Sequence, residues 1–167
     1  MPLFLLTIIS FIVTLMLQIG IVSRATLLAG SADLVLLFIA AWSLHQGHKN
    51  AWMFVLAFGL IVGSISAGPS LIPLITYLLI FLAAKLMQRQ IWRTPLLSMF
   101  LLTFFGTLFQ NGLHLVGLWI QGVEFPVNQA FTNILLPSVL LNMLLAIPVH
   151  ALVQELFPSE LPAGAPL

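Results

Sequence analysis

Few side chains in this chain have the types and spacing to do chemistry. The groups able to act as acid, base or ligand are four carboxylates, Asp33, Glu124, Glu155 and Glu160, and four histidines, His45, His48, His114 and His150. The acids fall at expected helix ends, in a loop or in the tail, and no two have the spacing of a paired carboxylate site. His45 and His48 stand at i, i+3 and could clamp a metal, but they sit in a short polar loop with no carboxylate beside them. A metal centre needs more ligands than that. Ser64 and Ser66 flank Ile65 after Gly63, and Gly63-Ser64-Ile65-Ser66 does not give the G-x-S-G pattern of an intramembrane serine protease. Serines so placed bond to the backbone of their own helix. With no cysteine in the chain, thiol catalysis, disulfides and cysteine-ligated metal are excluded. The residues therefore point to a protein that is not an enzyme and carries no cofactor or metal.

A second set is polar rather than reactive. Gln110, Asn111 and His114 lie three and four residues apart, which puts them on one helix face. Asn142 is followed two turns later by His150 on roughly the same side of another helix, and Gln18 closes the first apolar run. Such groups among apolar residues face protein or a water-filled cavity. Two uses are open: a ligand pocket or proton path, and hydrogen bonds between helices. The second is preferred, because no ionised carboxylate joins the set. A third pattern is steric. Gly59, Gly63 and Ala67 recur at i, i+4, i+8, a small-residue stripe along which another backbone can come close. Packing within the chain is preferred to a partner face.

The elements that carry these residues follow from composition. The chain of 167 residues is 61% apolar and 5% charged, against roughly 25% charged in ordinary soluble domains. A domain this small cannot hide such an excess in a core. The net charge of +1 gives no footprint for nucleic acid. The reading is one all-α integral membrane domain over 1–157, with a disordered tail over 158–167. The stretch from Ala51 to Arg93 looks like its organising hairpin. Apolar runs Ala51–Ala67 and Leu71–Ala84 flank Gly68-Pro69-Ser70, and basic residues stand only outside them. Six helices are expected: Leu3–Val22, Ala32–Leu44, Ala51–Ala67, Pro69–Met87, Pro95–Ile120 and Gln129–Leu156. The first lacks the basic start and cleavage site of a secretory signal and reads as a retained helix. The fifth is longer than a perpendicular span needs and must tilt, kink or extend. Pro137 and Pro148 are expected to bend the sixth. Trp42, Trp52, Trp92 and Trp119 fall near helix ends, where aromatic belts form. Lys49, Lys85, Arg89 and Arg93 share one side and Arg24 the other, so both termini are expected in the cytoplasm.

Read in order, several segments resemble the rod shape-determining protein MreD family. LMLQIG is similar to the family's first helix, closed by Gln18. SADLVLLFIAAWSL resembles its second helix, opened by Asp33. GLIVGSISAGPSLIPLITYLLIFLAAKL resembles its central hairpin. ILLPSVLLNMLLAIPVHALVQEL resembles its last helix, with Pro137, Asn142 and Pro148 in place. The likeness runs from Gln18 to Phe157. It departs at Ala32, where the family has proline, and at Gly63, where it often has an acid. Gln18, Asp33, Asn142 and Pro137 carry over as structural positions only.

The resemblance implies a scaffold of the bacterial cell-elongation complex in the inner membrane. Such a protein works with the single-span MreC, and beside MreB, RodA and a penicillin-binding transpeptidase in peptidoglycan synthesis and regulation of cell shape. Self-association is a further option. The resemblance also implies similarity in fold to the substrate-binding subunits of energy-coupling-factor transporters, which supplies the rival reading of a vitamin-capture subunit. Those subunits typically dock their energising partner through an alanine-xxx-alanine patch on helix 1, and this first helix has no alanine. The outward loops are short and offer only Arg24, Asp33, Glu124 and Asn128 to a vitamin. Because the chain has no cysteine, single labels test the orientation directly. His48→Cys and Gln90→Cys should be shielded from an impermeant thiol reagent in intact cells, and Glu124→Cys should be labelled. The reverse pattern would invert the topology.

Overall fold

Long apolar runs form the helices of this chain, and the Gly, Pro and polar clusters between them set the ends. The computed structural model describes residues 2–24, 26–45, 51–66, 68–89, 95–123 and 126–157. In these residues the chain forms α1 (Pro2–Gly20), a 3-10 turn (Val22–Arg24), α2 (Leu34–His45), α3 (Ala51–Ile65) and α4 (Leu71–Arg89). Then follow α5 (Pro95–Ile120), α6 (Val127–Ala130), a π turn (Phe131–Leu135) and α7 (Leu136–Leu156). No strand forms among the described residues, apart from the isolated bridge Leu27–Gly30. α5 occupies the range read from the sequence, and the others begin or end within a few residues of theirs. Glu124, His48, Trp92 and the tail 158–167 lie outside the described residues.

Leu71–Gln88, Pro95–Ile120 and the continuous rod Val127–Leu156 are long and apolar enough to cross a membrane. Phe4–Gly20, Leu34–His45 and Ala51–Ile65 are shorter apolar helices. The distribution of side chains agrees with a membrane protein. α7 turns Ser138, Asn142, Ala146 and His150 inward at four-residue spacing, while Leu140, Leu144 and Ile147 are exposed. α5 likewise buries Ser98, Thr103 and Thr107 and exposes Phe105, Phe109 and Val116. A helix in water does the opposite.

The organising element is α2, not the hairpin. Every residue from Val35 to Ser43 is buried. α2 packs against α1, α4, α5 and α7. A helix that is apolar all round has no preferred face and belongs at the centre. Trp42 goes with it: only 2% exposed, its ring meets Phe54 edge-on at 6.0 Å. It is therefore a core residue and not part of an aromatic belt, whereas Trp52 and Trp119 are exposed.

The hairpin does form, and its glycines explain how closely. A Cβ on Gly59 would lie 2.9 Å from Leu74 Cα, and one on Gly63 would strike the Ser70 carbonyl oxygen. Both glycines thus face α4 and the turn that precedes it; Ala67 lies outside the described residues. Gly112 in α5 has open space where its Cβ would be. Gly63→Ala should therefore lower the melting temperature, with a loss of stability of about 1–3 kcal/mol on the scale of overpacking. Gly112→Ala should be neutral or stabilising by up to about 1 kcal/mol, from helix propensity. Thermal unfolding of the two purified variants checks the contrast.

Candidate functional site

A buried helix must satisfy its terminal backbone groups without water. The first N–H groups and last C=O groups of any helix lack partners within it. At the start of α2 they are met by side chains. Asp33 Oδ1 accepts from the Leu36 N–H at 2.9 Å, as a capping residue does. The Gln18 amide of α1 works at both ends: its Oε1 accepts from the Leu34 N–H at 2.7 Å, and its Nε2 donates to the Ala32 carbonyl at 3.0 Å. Asn142 of α7 accepts from the Asp33 N–H at 2.7 Å and donates through Nδ2 to Thr107 Oγ1 of α5 at 2.9 Å. At the other end of α2, the Gln88 amide donates to the Ser43 carbonyl at 2.9 Å and also to the Leu44 carbonyl. Lys85 Nζ donates to Gln88 Oε1 at 3.2 Å and holds that amide in place.

The segment before α2 is fixed by the same logic. Pro137 has no N–H, so the Asn133 carbonyl one turn earlier loses its helical donor. The Ala29 N–H donates to that carbonyl instead, at 3.0 Å. The π turn, closed by the Leu136 N–H donating to the Phe131 carbonyl, lies across this break. Ser138 Oγ accepts from the Ser31 N–H at 3.1 Å. Gly30 fits against this surface because it has no side chain: a Cβ there would lie 2.7 Å from Ser138 N and 2.8 Å from Pro137 Cβ. The turn that delivers it puts Leu28 at φ 57°, a left-handed conformation costly for leucine.

Asp33 is the hub. Its Oδ2 accepts from Gln110 Nε2 of α5 at 2.8 Å and more loosely from the Tyr77 hydroxyl of α4 at 3.4 Å. The expectation that no carboxylate joins the polar face of α5 is thus corrected. Asp33 heads a helix whose first turn lies inside the bundle, so a residue at a helix end still reaches Gln110. Beside it is a cavity of about 420 Å³ whose walls include Gln18, Asp33, Gln110, Asn111, His114 and Asn142. Asn111 also bonds to the Thr107 carbonyl of its own helix at 3.0 Å. Gln110 Oε1 is buried, and no hydrogen-bond partner reaches it among the described residues.

His150 separates from this group. It lies at the other end of the bundle, its ring 5.4 Å from that of His45, and among the described residues neither ring nitrogen has a hydrogen-bond partner. Eight residues further along α7 than Asn142 is about 12 Å, at 1.5 Å per residue, which is too far to share a site. Among the described residues no three His, Asp or Glu side chains converge as a metal site. Ser64 donates to the Ile61 carbonyl of its own helix at 2.7 Å. Sequence reasoning missed Tyr77, Thr107, Ser138 and Gln88. Thr107 could have been found, since it stands one turn before Gln110 and Asn111. Tyr77, the chain's only tyrosine, was an unused polar signal within an apolar run.

The Asn142 bridge can be measured. Asn142→Leu removes the acceptor of the Asp33 N–H and the donor to Thr107, and unpaired buried groups cost about 1–3 kcal/mol each. Thr107→Val should cost less, and the double variant should fall short of the sum by about 0.5–3 kcal/mol, the range for residues in one network. Denaturation of the four proteins completes the cycle, and strict additivity would show that the two side chains act separately. No family model, curated protein or solved structure matches this chain.

Proposed function

We propose that this chain is a non-enzymatic membrane scaffold of the MreD type, working in lateral cell-wall synthesis with an MreC-type single-span partner. In this reading all six long helices lie in the bacterial inner membrane, both termini face the cytoplasm, and the fold is that of energy-coupling-factor capture subunits. One observation carries the proposal. The resemblance singles out Gln18, Asp33, Asn142 and Pro137 as structural positions, scattered over more than a hundred residues of sequence. In the structure they meet in one place, each holding the segment that leads into α2. Side chains engaged with backbone in this way fix a shape and leave little for catalysis. The outward leucines and phenylalanines of α5 and α7 supply surface for lipid or for a partner helix.

The rival reading, a capture subunit of an importer, has the cavity beside Asp33 in its favour. Against it stands α1, which has no alanine with which to dock an energising partner. Tagged full-length protein purified from its native membranes separates the two. The scaffold reading expects an MreC-type protein among the species that co-purify, with no ATP-hydrolysing module. Co-purification of such a module with a stoichiometric vitamin would replace it with the importer.

A further inference from the structure

The cavity has chemistry that the scaffold role does not use. Its volume of about 420 Å³ is many times the ~30 Å³ share of a single water and within the roughly 300–1,000 Å³ range of small-molecule sites. Hydrogen-bonding capacity on its polar wall is unevenly spent. Each amide on the wall spends an N–H on the protein: Gln110 Nε2 on Asp33, Asn142 Nδ2 on Thr107, Gln18 Nε2 on the Ala32 carbonyl and Asn111 Nδ2 on the Thr107 carbonyl. Two acceptors stand out beside these. Asp33 carries a carboxylate whose partners are all neutral, the Leu36 N–H, the Gln110 amide and the Tyr77 hydroxyl. Gln110 Oε1 has no hydrogen-bond partner among the described residues. His114, on the same wall, adds a ring nitrogen. A buried carboxylate held only by neutral donors is stabilised most by a cation, and the vacant acceptors require that cation to donate hydrogen bonds.

We propose that this cavity binds a primary ammonium group, carried either by a phospholipid headgroup or by a free small amine. The ammonium has three donors, and Asp33 is the charged acceptor for it, with Gln110 and His114 in the same cavity lining. Quaternary ammonium carries the charge without the donors, and a glycol carries donors without the charge. Both should be excluded. Occupancy of the cavity does not depend on the chain being a scaffold, and a scaffold does not require it.

The experiment is thermal unfolding of the full-length protein in detergent at pH 8, where a histidine of ordinary pKa near 6.5 is neutral. Ethanolammonium chloride should raise the melting temperature saturably, as a ligand of the folded state does, whereas tetramethylammonium chloride and ethylene glycol at equal concentration should not. A second arm compares phosphatidylethanolamine with phosphatidylcholine of the same chains. A shift in the first arm assigns a free amine, and a shift only in the second assigns a lipid headgroup. Asp33→Asn keeps a capping oxygen for Leu36 and should raise the half-saturating concentration at least tenfold. Gln110→Leu should do the same and stands in if the first variant does not fold. The proposal is overturned if neither amine exceeds its control in the wild type, or if the response survives both substitutions.

Discussion

The structure depends on closing the backbone hydrogen bonds at the two ends of a helix that is buried along most of its length. α2 is twelve residues long, about 18 Å at 1.5 Å per residue, and it is buried along nearly all of that length. Its first turn therefore falls within the bundle, where an unpaired N–H costs more than it does at a surface, and its last carbonyls are met by Gln88. The surrounding helices each bring a side chain to those ends: Gln18 from α1, Gln88 from α4 and Asn142 from α7. The polar residues of this otherwise apolar chain lie where they do because of α2. Those residues in turn fix how α1, α4 and α7 are placed around it.

The same constraint explains the inverted pattern of α5 and α7. α5 and the rod that ends in α7 are long and apolar enough to cross a membrane, and in such surroundings leucine gains nothing by turning inward, so small or polar residues decide the packing. Ser138, Asn142, Thr103 and Thr107 face the centre, and leucines and phenylalanines face out. Gly59 and Gly63 bring α3 against α4 by the absence of a side chain. Specificity thus rests on these few small and polar positions.

Much of this was legible in the sequence. Breakers and run lengths placed α5 to the residue and the other helices within a few, because Pro, Gly and charged clusters end apolar helices for local reasons. Six of the polar residues that line the cavity, Gln18, Asp33, Gln110, Asn111, His114 and Asn142, were visible as exceptions among leucines. What was not legible is long-range. Asp33 reads as a residue at an exposed helix end until α2 is known to start inside the bundle, and only then does its reach to Gln110 follow. The centrality of α2 was hidden by its uniformity, since LVLLFIAAWSL has no polar face to orient it. His150 follows Asn142 in helical phase, but phase says nothing about depth, and the two lie at opposite ends of the bundle. Trp42 sits at a helix end, as a belt residue would, but that end is covered by Phe54.

The partners of α2 also have an order in time. The ribosome releases α2 long before Gln88, Thr107 or Asn142 exist, so at first its leading N–H groups and final carbonyls face either water or lipid alone. Only Gln18 and Asp33, already made, can hold its entry. The backbone bonds at the ends of this segment are therefore complete only once α4, α5 and α7 arrive. The innermost helix of the finished protein is then among the last to settle, although it is the second to be made.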